Sequence, residues 1–247
     1  MIADLKTVMW KERKALLRPQ GSRWRLLFTL LTPVFITILL PLQLGEFFVR
    51  GPFVLLLSYL VALIIVPVAI AESFAGERER HTLATLLASR LPDRAILVGK
   101  IAVPVVVAWL ALGVSHAVAL TIANIVHWNG GVQVHPPTIL LGILGLGLLL
   151  PLIAAGLGII ISLRSATVQG AQQALTMLLL VPLIALQILG AVAFGIGRDR
   201  IGSLIELLEQ ANWPLILVLV LLALALLAAG LLVAATARFQ RARLILA

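Results

Sequence analysis

The sequence predicts an all-α integral membrane protein. It has six transmembrane helices, an N-terminal amphipathic interfacial helix, a short helix between the second and third spans, and a short outer helix before the last span. Three observations carry that prediction. Hydrophobic residues make up 62% of the 247, mean hydropathy is +1.14, and only 12% of residues are charged. So few polar side chains cannot cover the surface of a soluble domain. The apolar residues gather into runs of about twenty, the length that crosses about 30 Å of hydrocarbon. The basic residues, which give a formal net charge of +9, sit in short clusters between those runs. Such placement orients a protein in a bilayer and does not build a groove for nucleic acid.

Residues 1–25 carry Lys6, Lys11, Arg13, Lys14, Arg18, Arg23 and Arg25 against Asp4 and Glu12 alone. Leu5, Val8, Met9, Leu16 and Leu17 fall on one helical side, with Trp10 as an interface anchor. This is a basic amphipathic helix lying on the cytoplasmic leaflet, in contact with membrane lipids. The basic stretch is too long for a cleavable signal peptide, and no small-x-small site closes the apolar run behind it.

The first span is expected at 26–45 and the second, after a short loop with Glu46 and Arg50, at 53–71. The third is expected at 101–126 and the fourth at 138–163, joined by a glycine- and proline-rich turn without lysine or arginine. After a polar turn at 164–169 come the fifth span, 170–196, and the sixth, 213–237. Pro33 and Pro41, Pro67, Pro104, Pro151, Pro182 and Pro214 place a proline in every span. The interior ones free a carbonyl and permit a kink, which a helix bundle tolerates. Ala154/Gly158, Ala225/Ala229 and Gly230/Ala234 put small residues at four-residue spacing, where helices can approach closely. Between the last two spans, 197–212 is too polar to cross. Ser203 and Glu206 form a capping box there, so a short amphipathic outer helix starts at Leu204.

Six spans put both termini on one side. Sixteen of the nineteen Lys/Arg lie in the N-terminal segment, the 76–100 loop, Arg164 and the tail with Arg238, Arg241 and Arg243. Only Arg50, Arg198 and Arg200 lie on the opposite connections. Short loops rich in Lys/Arg stay inside, so both termini are expected in the cytoplasm of a multi-pass plasma-membrane protein.

The stretch 72–100 interrupts the spans with Glu77, Arg78, Glu79, Arg80, Arg90, Asp93, Arg94 and Lys100. Within it Leu83, Leu86 and Leu87 recur at i, i+3 and i+4, giving a short helix an apolar face. Leu91-Pro92-Asp93 ends that helix, since proline disfavours helical geometry at the residue before it, and Asp93 can cap the next one. A short amphipathic helix on a tight tether is built to be held by another protein.

Gly76, Glu77, Arg78, Glu79, Arg80, Thr82, Leu83, Leu86, Leu87, Pro92, Asp93, Arg94, Ile96, Leu97, Gly99 and Lys100 together resemble the first cytoplasmic loop of ABC-transporter permeases of the type-2 exporter class. That family often has glycine where His81 stands. The resemblance implies one transmembrane domain over 1–247, with a coupling segment at 76–94. Its Glu77, Arg78, Glu79, Arg80, His81, Thr82, Leu83, Leu86 and Leu87 would dock into a groove on a separate ATPase subunit. It also implies two permease chains with two ATPases, and outer helices such as 197–212 near the exit of the pathway.

The chain carries no nucleotide-binding loop of its own. Gly99-Lys100 is followed by Ile101 and lacks the upstream glycine, so no phosphate cradle forms. No cofactor is expected in this chain, with ATP and Mg bound by the partner. His116, His127 and His135 have no carboxylates at ligand spacing. Ser115 and His116 point to different helix faces, which argues against a nucleophile–base pair. Candidate pathway-lining residues are Glu72, whose other place is the headgroup region, and Asn124, Gln169, Gln173 and Gln187, whose other role is interhelical hydrogen bonding. Two other functions remain open: an ATPase-coupled anchor or signalling subunit that moves no substrate, and an ATP-independent carrier or channel.

Overall fold

The computed structural model describes residues 2–17, 23–195 and 212–239. Along them run α1 Ile2–Leu17, α2 Arg23–Leu44, α3 Glu46–Arg50, α4 Val54–Glu79 and α5 Leu83–Ala88. Then follow α6 Asp93–Val126, α7 Pro137–Ser162, α8 Val168–Gly195 and α9 Trp213–Arg238. Among the described residues there is no strand. Five helices, α4, α6, α7, α8 and α9, are long and apolar enough to cross a membrane. The 22-residue α2 follows the expected first span, and its segment Val34–Leu44 is apolar.

The helices α7, α8 and α9 begin and end within two residues of the spans read from hydropathy. Two others overrun their expected limits. The second span continues as helix through the charged cluster to Glu79, because Glu and Arg are good helix formers and their charges find partners at that end. The third begins already at Asp93, with Pro92 in extended geometry just outside it. Asp93, expected as the cap, stands one position inside the helix, where a carboxylate still favours the positive end. Helical structure runs on through Pro67, Pro104, Pro151 and Pro182.

At the centre is α4, which packs against α2, α6, α7 and α8. Val54, Leu57, Val66, Ile70 and Phe74 are fully buried along its length, as a helix apolar on all sides should be. The α7 helix lies between α4 and α9. Gly158 lets α7 approach α4 and α8: a Cβ there would stand 2.6 Å from Ile70 and 2.8 Å from Leu175. The small pair Ala154/Gly158 therefore does serve close packing. Gly230 on α9 has nothing within 4 Å of its Cβ position. Most of α8 and α9 faces outward. The expected outer helix at 197–212, with its Ser203–Glu206 capping box, lies outside the described residues except for Asn212. That residue caps α9 by accepting a hydrogen bond from the Leu215 amide at 3.2 Å.

Candidate functional site

The helix α4 stops by a backbone device. Thr82 N–H donates to the Glu77 carbonyl at 2.8 Å and His81 N–H to the Arg78 carbonyl at 3.0 Å. These two bonds form a Schellman motif with His81 at the left-handed position, and its φ is +56°. Glycine is the residue that takes this geometry without strain, which gives a physical reason for glycine at this place in the resembled loop. The turn points the chain into α5, a helix of six residues. Ser89 ends α5, its hydroxyl donating to the Leu86 carbonyl at 2.6 Å.

The α5 helix is seated on the bundle by Leu86, which packs against the core around Phe74, Ile96 and Ile159. Leu86, expected on the docking face, is partly buried, so one side of it rests on its own chain's core. The side chains of Leu83 and Leu87 lie outside the described ones. Among the described side chains of this stretch, His81, Thr82, Thr85 and Ala88 are exposed.

The four charges of Glu77–Arg80, expected at the rim of a partner's groove, are all engaged within the chain. Glu77 is buried, 8% exposed, and turns inward. It lies 3.1 Å from Lys100 and pairs also with Lys11 of α1. Arg78 donates to the carbonyl of Leu163 at the end of α7, 2.7 Å away. Glu79 accepts from the amide of Val168, the first residue of α8, at 2.9 Å. A cation at a helix C-terminus and an anion at an N-terminus each complement the helix dipole. Arg80 folds back on Glu72. One turn of α4 thus holds α1, α6, α7 and α8.

At the heart of this end is Lys100, whose side chain is 1% exposed. Its ammonium donates to Glu12 at 3.0 Å, to the Ser73 carbonyl at 2.6 Å and to the Ser73 hydroxyl at 3.2 Å. It also stands 5.2 Å from the centre of the Phe74 ring. The Ser73 hydroxyl donates in turn to Glu12 at 2.8 Å. Taking an ammonium out of water costs several kcal/mol, which only close and numerous oxygen partners offset. Glu12 and Glu77 against Lys100 and Lys11 make the cluster neutral. Beside it, Val8 of α1 sits on Gly99, where a Cβ would come within 2.6 Å of Val8. The Gly99-Lys100 pair is therefore the seat of α1.

Hydropathy reading passed over Glu12, Ser73 and Lys100. A signal for them was present: a lysine between ILVG and IAVP, and a glutamate inside a basic helix, are each costly unless they meet.

The pathway candidates are not brought together. Glu72 is engaged by Arg80. Asn124 fastens the connection between α6 and α7: its amide donates to the Gln133 carbonyl at 2.9 Å, and its oxygen accepts from the Gln133 amide at 2.7 Å. Gln169, Gln173 and Gln187 are exposed along α8. The imidazoles near that connection bond carbonyls, His127 that of Leu42 at 3.2 Å and His135 that of Val49 at 2.8 Å. Among the described residues no group of three or more metal-ligating side chains occurs.

Five apolar helices of spanning length, gathered round a buried charge cluster at one end, define an integral multi-pass membrane protein. The chain belongs to the ABC-2 type transporter family, whose family model matches residues 3–195. It is thus a transmembrane ABC transporter permease. Searches of curated proteins and of solved structures give no match.

Proposed function

We propose that this chain is the permease subunit of an ATP-driven exporter, coupled in trans to a separate cytosolic ATPase through 76–94. ATP and Mg are then bound by that ATPase, and none of the chemistry is done here. The reading includes six spans, with α2 as the first, both termini in the cytoplasm, and a second copy or a related permease completing the pathway. Its orientation rests on the sixteen Lys/Arg that share one side.

The observation that carries the coupling role is the way α5 is mounted. A short helix transmits force only if it is rigidly joined to what must move. The turn that precedes it is fixed to α1, α6, α7 and α8 through Glu77, Arg78 and Glu79, and α5 itself is seated by Leu86. In this reading the ERER charges serve as the joint, and the exposed His81, Thr82, Thr85 and Ala88 contribute to the surface offered to the ATPase together with Leu83 and Leu87.

Replacing Thr85 and Ala88 together by arginine tests this. The expected outcome is a variant that inserts and folds normally, yet neither retains the ATPase on purification nor supports ATP-driven substrate efflux from vesicles. Retained binding and efflux would remove α5 as the coupling element. ATPase binding without efflux in the unmodified protein would favour the anchoring or signalling role instead.

A further inference from the structure

Between α1 and α6 lies a groove of about 350 Å³, lined by Lys6, Met9, Trp10 and Arg13 on one side and by Val103, Val106, Val107 and Leu110 on the other. Each set follows the spacing i, i+3, i+4, i+7, so each is one continuous helix face. The face of α1 that holds the helix to the protein is a different one, carrying Val8 and Glu12. The groove face is therefore free to bind something else. Its volume is in the range of small-molecule sites, about 300–1,000 Å³.

The two sides differ in chemistry. Lys6 and Arg13 are exposed, and neither forms an ion pair among the described residues. Trp10, 55% exposed, stands between them, an aromatic of the kind found at headgroup level. The opposite wall is purely aliphatic, and Val106, Val107 and Leu110 are all exposed. The depth of that wall follows from α6 itself. Its 34 residues extend about 51 Å, well beyond the ~30 Å of hydrocarbon. The excess falls at the end bearing Asp93, Arg94 and Lys100. About 20 residues counted back from Val126 fill the hydrocarbon, so Val107 and Leu110 lie in its first turn and Val103 and Val106 at the headgroup boundary above.

We infer that the groove is a binding site for one anionic phospholipid of the surrounding leaflet. Lys6 and Arg13 bracket its phosphate, Trp10 lies at its glycerol level, and an acyl chain runs down Val103–Leu110. The lipid fills the gap between α1 and α6 beside the Glu12–Lys100 contact, so its occupancy helps hold α1 on Gly99. The site rests on the reading of α1 as an interfacial helix, and the experiment separates the two.

The purified full-length chain is placed in nanodiscs containing either brominated phosphatidylglycerol or brominated phosphatidylcholine. The quenching of Trp10 is isolated by difference with Trp10→Phe. Stronger quenching by the anionic lipid is expected. Lys6→Gln with Arg13→Gln should weaken that preference roughly 30-fold, at about fivefold per basic side chain. Val106→Phe should abolish it by filling the groove with the charges intact. Arg90→Gln with Arg94→Gln removes the same charge away from the groove and should leave it unchanged. Equal quenching by both lipids, or equal loss in the Arg90/Arg94 variant, would overturn the site while leaving α1 at the interface. No quenching by either lipid would overturn the interfacial placement as well.

Discussion

The two ends of the bundle are both closed by polar contacts, but of different kinds. At the α5 end charged side chains join separate helices: Lys100 of α6 meets Glu12 of α1 and Glu77 of α4, and Arg78 and Glu79 of α4 reach backbone groups at the ends of α7 and α8. At the opposite end the contacts join neutral side chains to backbone, as Asn124 does with Gln133 and His135 with Val49. The first kind links helices to one another across the fold. The second fastens a connecting segment to helix ends beside it. A displacement applied at α5 is therefore passed to several helices, whereas one applied at the Asn124 end moves mainly the connection.

The strongest way to break that contrast is Lys100→Met. Removing the buried cation leaves Glu12 and Glu77 close together with only the half-exposed Lys11 to share, and loss of a buried ion-pair member costs about 3–5 kcal/mol. A large fall in thermal stability in detergent is expected, with α1 becoming accessible to proteolysis. Adding Glu12→Gln and Glu77→Gln to Lys100→Met should recover most of the loss, because no unpaired charge then stays buried. If the triple variant were no more stable than the single one, the ionic account of this end would be wrong.

At the other end, Asn124→Ala should cost less, about 1–3 kcal/mol, the penalty for leaving the Gln133 amide and carbonyl without partners. Hydrogen exchange should rise across 127–136 and stay unchanged in α4 and α5. A rise that reached α5 would show the ends to be coupled, against the contrast drawn above.

The smallest effect sharpens the comparison within the charged end. His81→Gly relieves a left-handed backbone that costs a non-glycine residue roughly 1–2 kcal/mol, while glycine's freer unfolded chain returns about 0.4–1 kcal/mol of that. A net gain of about 0.5–1 kcal/mol is expected, read as a modest rise in melting temperature. A destabilised glycine variant would mean that the imidazole itself contributes to the turn.

The sequence by itself determined the class, most spans and the position of α5. Those features follow from local regularities: runs of apolar residues of spanning length, the i, i+3, i+4 leucines, and the proline at 92 that separates two helices. The contacts of Glu77–Arg80 within the fold were not legible in the same way, since only Arg80 finds its partner, Glu72, nearby along the chain. Only the tertiary structure decided the others. Lys11, Lys100, Leu163 and Val168 are distant along the chain, yet packing brings them to one end of the bundle, where they satisfy three of the four ERER charges. The same holds for Gly99 and Lys100, whose role as the seat of α1 depends on Val8 and Glu12. A buried charge cannot be read from its own neighbourhood, because what makes its burial tolerable is a counter-charge that only folding brings near.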